Sequence, residues 1–280
     1  MSPRLAIRIR PQNLVIHALL LLGVVPMVYP FIHMIMTSLM TPGEAMQVPP
    51  AFFPSIPQVG NYLKAFQQVP FARFLFNTAY ITAITVAVQL ILCSMAAYAV
   101  ARLKFRGREL MFGLFLSVLM IPMHVRLIPN FLLISKLGWQ DNHLALIVPG
   151  LFSAFGIFML RQGFMQLPQA LFDAAMIDGC TPWQSYWKVA MPLVKPLLAA
   201  FTINQALWKW NEFFWPLIMM RTPAKYVLSV GIYFFQDQYG TGDWPTMMAA
   251  ATMAQLPLLL AFVLAQRTFM EALTSSGLKL

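Results

Sequence analysis

Apolar residues fill long stretches of this chain without alternating with polar ones. In the stretch LVIHALLLLGVVPMVYPFI, odd and even positions are equally apolar, whereas a strand of a membrane β-barrel would alternate in polarity. A helix needs about 20 apolar residues to cross the hydrocarbon core of a bilayer. The pattern therefore predicts an all-α membrane protein with six transmembrane helices, at about 14–36, 77–101, 110–133, 144–165, 197–220 and 246–268.

The composition agrees with this assignment. Hydrophobic residues make up 59% of the 280 residues and charged residues only 10%, whereas about a quarter of the residues in a soluble domain are charged. We expect an N-terminal segment at 1–13, a transmembrane domain at 14–268 and a C-terminal tail at 269–280. No soluble catalytic domain is recognisable, so the chain is not expected to be an enzyme.

The net charge of +10 is informative through its placement, because Lys and Arg concentrate in the cytoplasmic loops of membrane proteins. Most basic residues lie before the first span, in RLKFRGRE after the second, between the fourth and fifth, and after the sixth. This distribution places both termini in the cytoplasm. It also explains the positive charge without a nucleic-acid partner.

The third predicted span contains two prolines and a charge. Pro122 and Pro129 each remove a backbone donor and are expected to kink the helix. Arg126 lies between them and costs on the order of 2.5–3.5 kcal/mol at a helix centre. Its side chain can reach the membrane surface, line a solute path or pair inside the protein.

The fifth predicted span carries Lys209, Asn211 and Glu212 near its middle. Lys209 and Glu212 are three residues apart, a spacing that lets side chains on a helix neutralise each other. Ionisable groups inside a membrane are candidates for function. The group either belongs to a translocation path or forms a structural pair that locks helices together.

Residues 166–192, QLPQALFDAAMIDGCTPWQSYWKVAMP, lie between the fourth and fifth predicted spans and are called the bent segment below. Pro168 suits the start of a short helix and Gly179 its left-handed C-terminal cap. Thr181, Pro182 and Gln184 form a capping-box pattern that starts a second helix, and Pro192 is expected to end it.

The first of these short helices has an unusual surface. Asp173 and Asp178 flank the small residues Ala174 and Ala175, while Leu171 and Met176 are expected to pack beneath. Such a low, acidic surface permits close approach by another protein. The alternative is an amphipathic hairpin lying on lipid, but basic residues would then be expected against an anionic leaflet.

This segment resembles the EAA loop of ATP-binding-cassette (ABC) importer permeases. The family pattern runs Glu-Ala-Ala, three residues, Gly, nine residues, Ile, one residue, Leu-Pro, and the spacing matches throughout. The departures are Asp173 for Glu, Val189 for Ile and Met191 for Leu. Asp173 is one methylene shorter than Glu, which bears on any salt bridge that it forms with an ATPase.

Further stretches, including GIFMLRQGFMQLP, WNEFFWPL and EALTSSGLKL, are similar to carbohydrate-uptake permeases of the maltose type. The resemblance implies a type I importer architecture in a bacterial or archaeal inner membrane. The implied partners are a second permease subunit, two copies of a cytosolic ATPase and an extracytoplasmic solute-binding protein.

The resemblance also implies separate roles for this chain and for the ATPase. ATP and Mg would be bound by the ATPase, and this chain would bind no cofactor or metal. The first short helix would act as a coupling helix seated in the ATPase, and the C-terminal tail near Ser275 to Lys279 would touch the same interface. The residues implied in ATPase docking are Asp173, Ala174, Ala175, Asp178, Gly179 and Pro192.

Three other classes compete with this interpretation. An ion-coupled secondary transporter usually carries intramembrane carboxylates, and here Glu212 is the only acidic residue clearly within a predicted span. A membrane enzyme would need a converging nucleophile, metal or acid–base set, and no H-E-x-x-H or G-x-S-x-G motif is present. A membrane scaffold would bind an ATPase without transporting any solute.

Overall fold

The computed structural model describes residues 11–49, 51–239 and 243–277, and every element assigned in these ranges is helical. The elements are α1 (Pro11–Ser38), α2 (Pro42–Ala45), α3 (Gly60–Gln68), α4 (Phe71–Arg102), α5 (Arg108–Met120), α6 (Met123–Lys136), α7 (Leu144–Ile147), a 3-10 turn (Val148–Gly150), α8 (Ala154–Gln166), α9 (Gln169–Ile177), α10 (Pro182–Ser185), a π turn (Tyr186–Ala190), α11 (Met191–Leu193), α12 (Lys195–Trp210), α13 (Phe214–Met219), a second 3-10 turn (Pro223–Lys225), α14 (Leu228–Tyr239) and α15 (Trp244–Gly277). The all-α prediction is confirmed.

Within the described residues, four stretches are long and apolar enough to cross a membrane. They are Leu19–Ser38, Phe71–Arg102, Leu144–Gln166 and Trp244–Val263, and they fall on the first, second, fourth and sixth predicted spans. The bent pair α5 and α6 gives a fifth if it is counted as one span. The count of six and the cytoplasmic termini stay predictions. Residues 1–10 and 278–280, which belong to the predicted terminal segments, lie outside the described residues.

The third predicted span is bent by 101° between α5 and α6. Ile121, between the two helices, is extended, with φ −85° and ψ 115°, because the ring of Pro122 disfavours a helical conformation in the preceding residue. Pro129 lies inside α6 without ending it. The expected kink at Pro122 is therefore a sharp break, and Arg126 lies on the helix that follows it.

The fifth predicted span is also interrupted, at residues 211–213 between α12 and α13. In a continuous helix, the ring of Pro216 would clash with the carbonyl of Glu212, four residues earlier. The break places Pro216 in the first turn of α13, where no backbone donor is needed. The released Glu212 carbonyl accepts a hydrogen bond from Ser229 Oγ at 2.7 Å, so the interruption leaves it satisfied.

The chain divides into two compact units, one formed by the described residues of 1–69 and 235–253 and the other by those of 70–234 and 254–280. In the first unit, α1 and α3 are joined through the buried Asn61. Its Nδ2 donates to the carbonyls of Ser38 and Met40, both at 2.9 Å. These bonds satisfy carbonyls that have no partner at the C-terminal end of a helix.

The core of the second unit forms two clusters along α4. The cluster at the second half of α4 contains Cys93, Ala97, Tyr98, Val100, Phe112, Ile157, Leu160, Phe164, Phe172, Tyr186, Ala190, Val194, Leu198 and Phe201. The cluster at the first half contains Ile81, Ile134, Ala145, Leu146, Met219, Met220, Val227 and Val230. Helix α4 is therefore the common support of both clusters.

Candidate functional site

The first half of the bent segment folds as the sequence predicts. Helix α9 ends at a left-handed glycine, because Gly179 has φ +79°. Its N–H donates to the Met176 carbonyl at 3.0 Å, and the N–H of Cys180 donates to the Ala175 carbonyl at 2.9 Å. This pair of bonds defines a Schellman motif. The predicted glycine cap is confirmed.

The second half begins as predicted as well. Thr181 Oγ1 accepts from the N–H of Gln184 at 3.2 Å, and Gln184 Oε1 accepts from the N–H of Thr181 at 2.9 Å. Both bonds of a capping box are therefore present. Pro168 is the residue before α9 rather than its first helical residue, one position from the prediction.

The expectation that Pro192 ends the second helix is wrong. The chain continues through the π turn into α11, which contains Pro192, and helical structure is interrupted only near Val194. In the π turn, the N–H of Met191 bonds to the carbonyl of Tyr186, five residues earlier. A π turn is wider than an α turn, which makes room for the proline ring that would otherwise clash with the preceding turn.

Helix α9 buries a different face from the one expected. Leu171 and Met176 are exposed, and Phe172 and Ala175 lie beneath the helix instead. The reason is tertiary, because Phe172 packs against Tyr98 of α4 with ring centroids 6.3 Å apart. Among the residues implied in docking, Asp173, Ala174, Asp178, Gly179 and Pro192 are exposed and Ala175 is buried.

One stripe of α4 supports both halves of the bent segment. Ser94, Tyr98 and Arg102 are four residues apart and so lie on one face of the helix. Ser94 Oγ and Tyr186 Oη are 2.7 Å apart in a buried hydrogen bond. Tyr98 lies between Phe172 and Tyr186, 5.3 Å from the latter ring. The stripe thereby joins α4 to α9 and to the π turn.

Arg102, the last residue of α4, makes more polar contacts than the other two residues of this stripe. Nε and Nη2 donate to the Phe164 carbonyl at 3.0 and 2.5 Å, and Nη2 also donates to the Leu167 carbonyl. Nη1 donates to Gln169 Oε1 at 3.0 Å. The guanidinium carbon lies 4.4 Å from the centre of the Phe172 ring. One side chain therefore binds the end of α8 and the start of α9.

In the sequence, Arg102 is one of many predicted cytoplasmic charges, and its charge alone does not reveal this role. The available signal was its spacing of four residues from Tyr98, itself four residues after Ser94. Gln169 extends the contact, because its Nε2 donates to Asp173 Oδ1 at 3.0 Å. The acidic residue at the family's Glu position is thus connected to α4 through Gln169 and Arg102.

Arg161 in α8 is a second residue whose role the sequence did not reveal. It is buried, and its Nη2 donates to both carboxylate oxygens of Glu109 at 3.1 and 3.0 Å. Its guanidinium carbon lies 3.8 Å from the centre of the Phe112 ring, and Nε donates to the Val100 carbonyl at 3.3 Å. Burying a charge is costly unless it is paired, and these contacts provide the pairing.

Lys209 and Glu212 form an ion pair at the break between α12 and α13. Lys209 Nζ lies 2.6 Å from Glu212 Oε2 and donates to the Leu146 carbonyl at 2.7 Å. The side chain of Lys209 is only 12% exposed. The pair therefore joins the broken span to the end of α7, which favours the helix-lock alternative for these two residues.

The other candidate path residues lie at the surface, since Arg126 and Asn211 are both exposed. Beside the ion pair, a small cavity is lined by Thr78, Ile81, Thr82, Leu146, Lys209, Glu212, Pro216 and Val227. The hydroxyl of Thr82 is buried there without a hydrogen-bond partner. Among the described residues, no group of three or more His, Cys, Asp or Glu side chains could hold a metal ion.

The first half of α4 binds a connecting loop rather than a helix pair. Asn77 Nδ2 donates to the carbonyls of Ala224 and Tyr226 at 3.1 and 2.9 Å. Tyr80 Oη is hydrogen-bonded to His143 Nδ1, and His143 Nε2 lies 2.8 Å from the Lys225 carbonyl. These bonds attach the loop before α14 to α4 and to the turn before α7.

Asp141 completes this loop attachment. Its φ of 53° places it in the left-handed region, which Asp tolerates. Burial acts to raise the pKa of Asp141, but hydrogen bonds from Thr222, from the Arg221 N–H and from Lys225 outweigh it, so the pKa lies well below its ordinary value. The carboxylate is therefore ionised at neutral pH and pairs with Lys225 at 3.1 Å.

Comparison with known families identifies the class to which this arrangement belongs. Residues 89–274 match the model of the family described as binding-protein-dependent transport system inner membrane component. This chain belongs to that family. The match covers the second half of α4, the bent segment and most of α15, so it includes the residues that resembled the EAA loop.

Two relatives and one solved structure extend the similarity over nearly the whole chain. The arabinooligosaccharides transport system permease AraQ of Halalkalibacterium halodurans is 33% identical over 90% of this chain and 91% of its own length. The sulfoquinovosyl glycerol transport system permease SmoH of Agrobacterium fabrum is 33% identical over 90% and 88%. A chain of a bacterial ABC transporter that imports the acidic polysaccharide alginate superposes with a TM-score of 0.80 at 25% identity, covering 96% of this chain and 100% of that one.

Proposed function

We propose that this chain is the membrane-spanning permease subunit of an ABC importer, and that it passes a sugar or sugar-like solute from an extracytoplasmic binding protein into the cytoplasm by alternating access. Family membership and full-length similarity to AraQ and SmoH support this function. These two relatives are named for arabinooligosaccharides and for sulfoquinovosyl glycerol, and further relatives are named for sn-glycerol-3-phosphate. We infer a solute of the same kind for this chain: an oligosaccharide, a polyol or a glycerol-phosphate-like compound.

The coupling mechanism is supported by the exposed surface of the bent segment. Ile177 at its tip is 87% exposed and Met176 61% exposed, and Trp183 on the second short helix is about half exposed. Contiguous exposed apolar side chains mark a surface that binds another protein or a membrane. Asp173 and Asp178 border this surface, and their charges disfavour an anionic leaflet. The surface is therefore assigned to the cytosolic ATPase.

Docking there gives ATP a mechanical effect on the permease. A ligand shifts an equilibrium between two conformations only by its differential affinity for them. ATP closes two ATPase subunits, and that closure draws the docked bent segments of two permease subunits together. The spans then change from an inward-facing to an outward-facing state, and hydrolysis resets them.

The complete assembly contains this chain, a second permease subunit, two ATPase copies and the binding protein. ATP and Mg are bound by the ATPase. The two termini and the bent segment lie on the cytoplasmic side of the inner membrane, and the interrupted helices α5–α6 and α12–α13 count as single spans. Arg126 and Asn211, which are exposed, are the candidates to contact solute along the path.

The test of the function is the energy source of uptake. The assembled complex is reconstituted into vesicles with ATP inside, and uptake of a labelled arabino-oligosaccharide, a polyol and glycerol phosphate is measured with the binding protein outside. We expect uptake that requires ATP and survives ionophores. Uptake that follows a proton or sodium gradient without ATP would establish the ion-coupled alternative, and ATPase binding without uptake of any tested solute would favour the scaffold.

The docking surface has its own test. Ile177→Asp places a charge at the exposed apolar tip, and Phe105→Asp makes the same change at an exposed residue outside the bent segment. We expect Ile177→Asp to reduce retention of the ATPase during purification by about tenfold, in line with one strongly contributing interface residue, and Phe105→Asp to leave it unchanged. A photo-crosslinker at Ala174 that captures only lipid in the assembled complex would refute the docking surface.

A further inference from the structure

Helix α9 is attached on the side opposite its exposed apolar tip, and the attachment converges on Arg102. The junction consists of Arg102, Gln169 and Phe172, which are joined by the bond from Nη1 to Gln169 and by the guanidinium stacked on the Phe172 ring. The same guanidinium donates to the carbonyls of Phe164 and Leu167. A displacement of α9 is therefore opposed directly by the last side chain of α4.

The chemistry of arginine suits this position. The Phe164 and Leu167 carbonyls lie at the C-terminal end of α8, where the helix dipole is negative and α-helical amide partners run out. From the backbone, the Phe164 carbonyl accepts the Leu167 N–H at 3.3 Å. A planar guanidinium can donate to several acceptors at once while stacking on an aromatic ring. A lysine ammonium would keep the charge at this site but lose the fork of donors.

The junction also connects the acidic edge of the bent segment to α4. Gln169 accepts from Arg102 and donates to Asp173, both at 3.0 Å. Ser94 and Tyr98 hold the π turn and the buried side of α9 by one hydrogen bond and ring packing. They hold the π turn and the buried face of α9 against α4. Arg102 instead holds the N-terminal end of α9 at the C-terminal end of α4.

We propose that Arg102 is a positioning residue that transmits displacement of the docked bent segment to α4, and through α4 to the transport path. This inference rests on the proposed importer function. It assigns Arg102 a role in coupling rather than in assembly, because the side of the bent segment that binds the ATPase is formed by other residues. Loss of the junction then weakens the connection through which α9 moves α4 and leaves only the ring contact between Phe172 and Tyr98.

The decisive variants are Arg102→Gln and Arg102→Lys. The first removes both the positive charge and the guanidinium's set of donors, and the second keeps only the charge. Arg106→Gln is the matched control, because Arg106 is an exposed arginine of the same connection. Uptake and ATP hydrolysis are measured together in vesicles containing the complete transporter. For Arg102→Gln we expect solute moved per ATP to fall about fivefold or more, the lower end of typical coupling between sites, with ATPase retention and hydrolysis unchanged.

Arg102→Lys is expected to give an intermediate ratio and Arg106→Gln a normal one. The ratio uses only the hydrolysis above that of the ATPase alone, so a loss of folded complex lowers both quantities together and leaves the ratio unchanged. A normal ratio in Arg102→Gln would overturn the proposal. So would equal losses of hydrolysis, ATPase retention and uptake, which would make Arg102 a purely structural residue.

Hydrogen exchange of the purified chain separates this proposal from the proposed function. The amides of residues 169–177 are expected to exchange about tenfold faster in Arg102→Gln than in wild type, as local opening becomes easier, while Arg106→Gln leaves them unchanged. Absence of ATP-driven uptake by the wild type would refute the importer function. Unchanged exchange in Arg102→Gln would refute the junction, whatever the wild type transports.

Discussion

The two ends of α4 both use polar side chains to hold backbone carbonyls, but they hold different kinds of structure. At the first end, Asn77 binds the carbonyls of Ala224 and Tyr226 in a connecting loop. At the second end, Arg102 binds the carbonyls of Phe164 and Leu167 and the side chain of Gln169. The first end thus fastens a loop, whereas the second joins three helices.

The difference lies in what the attached group presents beyond α4. The loop held by Asn77 is tied again by His143 and by the Asp141–Lys225 pair, so its polar groups bond among themselves. The bent segment held by Arg102 presents Met176 and Ile177 to its surroundings. Exposed apolar side chains mark a surface that binds another protein or a membrane. Under the proposed function the bent segment is the surface that binds the ATPase, so the second end is expected to influence coupling.

The largest effect is expected from Gly179→Pro at the second end. Proline fixes φ near −65°, which is incompatible with the observed +79°, and it removes the N–H that bonds to Met176. Uptake should fall about tenfold or more, on the scale of strong coupling between sites, while the protein still inserts into the membrane.

Gly138→Pro, at another left-handed glycine with φ +69°, is the control. It should lower thermal stability without changing solute moved per ATP. A loss of uptake equal to that of Gly179→Pro would show that the cap of α9 has no particular part in coupling.

Next in size is Asn77→Ala at the first end. The change leaves the carbonyls of Ala224 and Tyr226 without their donor, and removing one partner of buried hydrogen bonds costs about 1–3 kcal/mol. Thermal unfolding in detergent should show that loss, with uptake per ATP unchanged among the molecules that fold. Asn130→Ala, at an exposed asparagine of α6, should alter neither quantity. A changed uptake ratio in Asn77→Ala would mean that the first end also transmits motion.

A smaller effect is expected from the hydroxyl pair between Ser94 and Tyr186, which holds the π turn to α4 at 2.7 Å. Tyr186→Phe should cost about 1 kcal/mol, the net value of a typical intramolecular hydrogen bond. Combining it with Ser94→Ala in a double-mutant cycle measures the coupling between the two residues. Tyr233→Phe, at an exposed tyrosine, is the matched control. Strict additivity of the two changes would show that the pair does not hold the turn.

The smallest effect is expected from Asp141→Asn, which keeps a residue that tolerates the left-handed backbone but removes the ion pair with Lys225. Because both side chains are partly exposed, the loss should be about 0.5–1 kcal/mol at neutral pH. The folded pKa of Asp141 is lowered from 3.8. Its stabilisation is therefore present above about pH 4 and decreases as the pH falls below that value. Unfolding midpoints measured from pH 3 to 7 should fall less steeply at acid pH in Asp141→Asn, and parallel curves would contradict the assignment.

Local sequence rules predicted the parts of this protein that local interactions determine. The left-handed cap at Gly179 and the capping box at Thr181 each follow from the preferences of residues a few positions apart. Long apolar runs were sufficient to locate four helices able to span a membrane. The interruption before Pro216 and the helix through Pro192 depended instead on compensating bonds, from Ser229 and from the π turn, which sequence spacing does not reveal.

The roles of Arg102 and Arg161 could not be predicted because their partners are distant in sequence. Arg102 binds carbonyls more than sixty residues away, and Arg161 pairs with Glu109 fifty-two residues earlier. The topology of a membrane protein already explains a positive charge near the membrane boundary. The charge of these two residues therefore does not predict their partners. The same limit applied to the buried face of α9, which Tyr98 of α4 determines.

The π turn at Tyr186–Ala190 has a consequence for how this chain tolerates insertions and deletions. Such a turn contains one residue more than the α-helical turn it replaces. Deleting a single residue within 186–190 would convert the wide turn into an ordinary α turn, which completes the same rotation with one residue fewer. A one-residue gap is therefore expected to be tolerated within Tyr186–Ala190, whereas the same gap within α12 before Lys209 would turn that side chain by about 100° away from the Leu146 carbonyl that it binds.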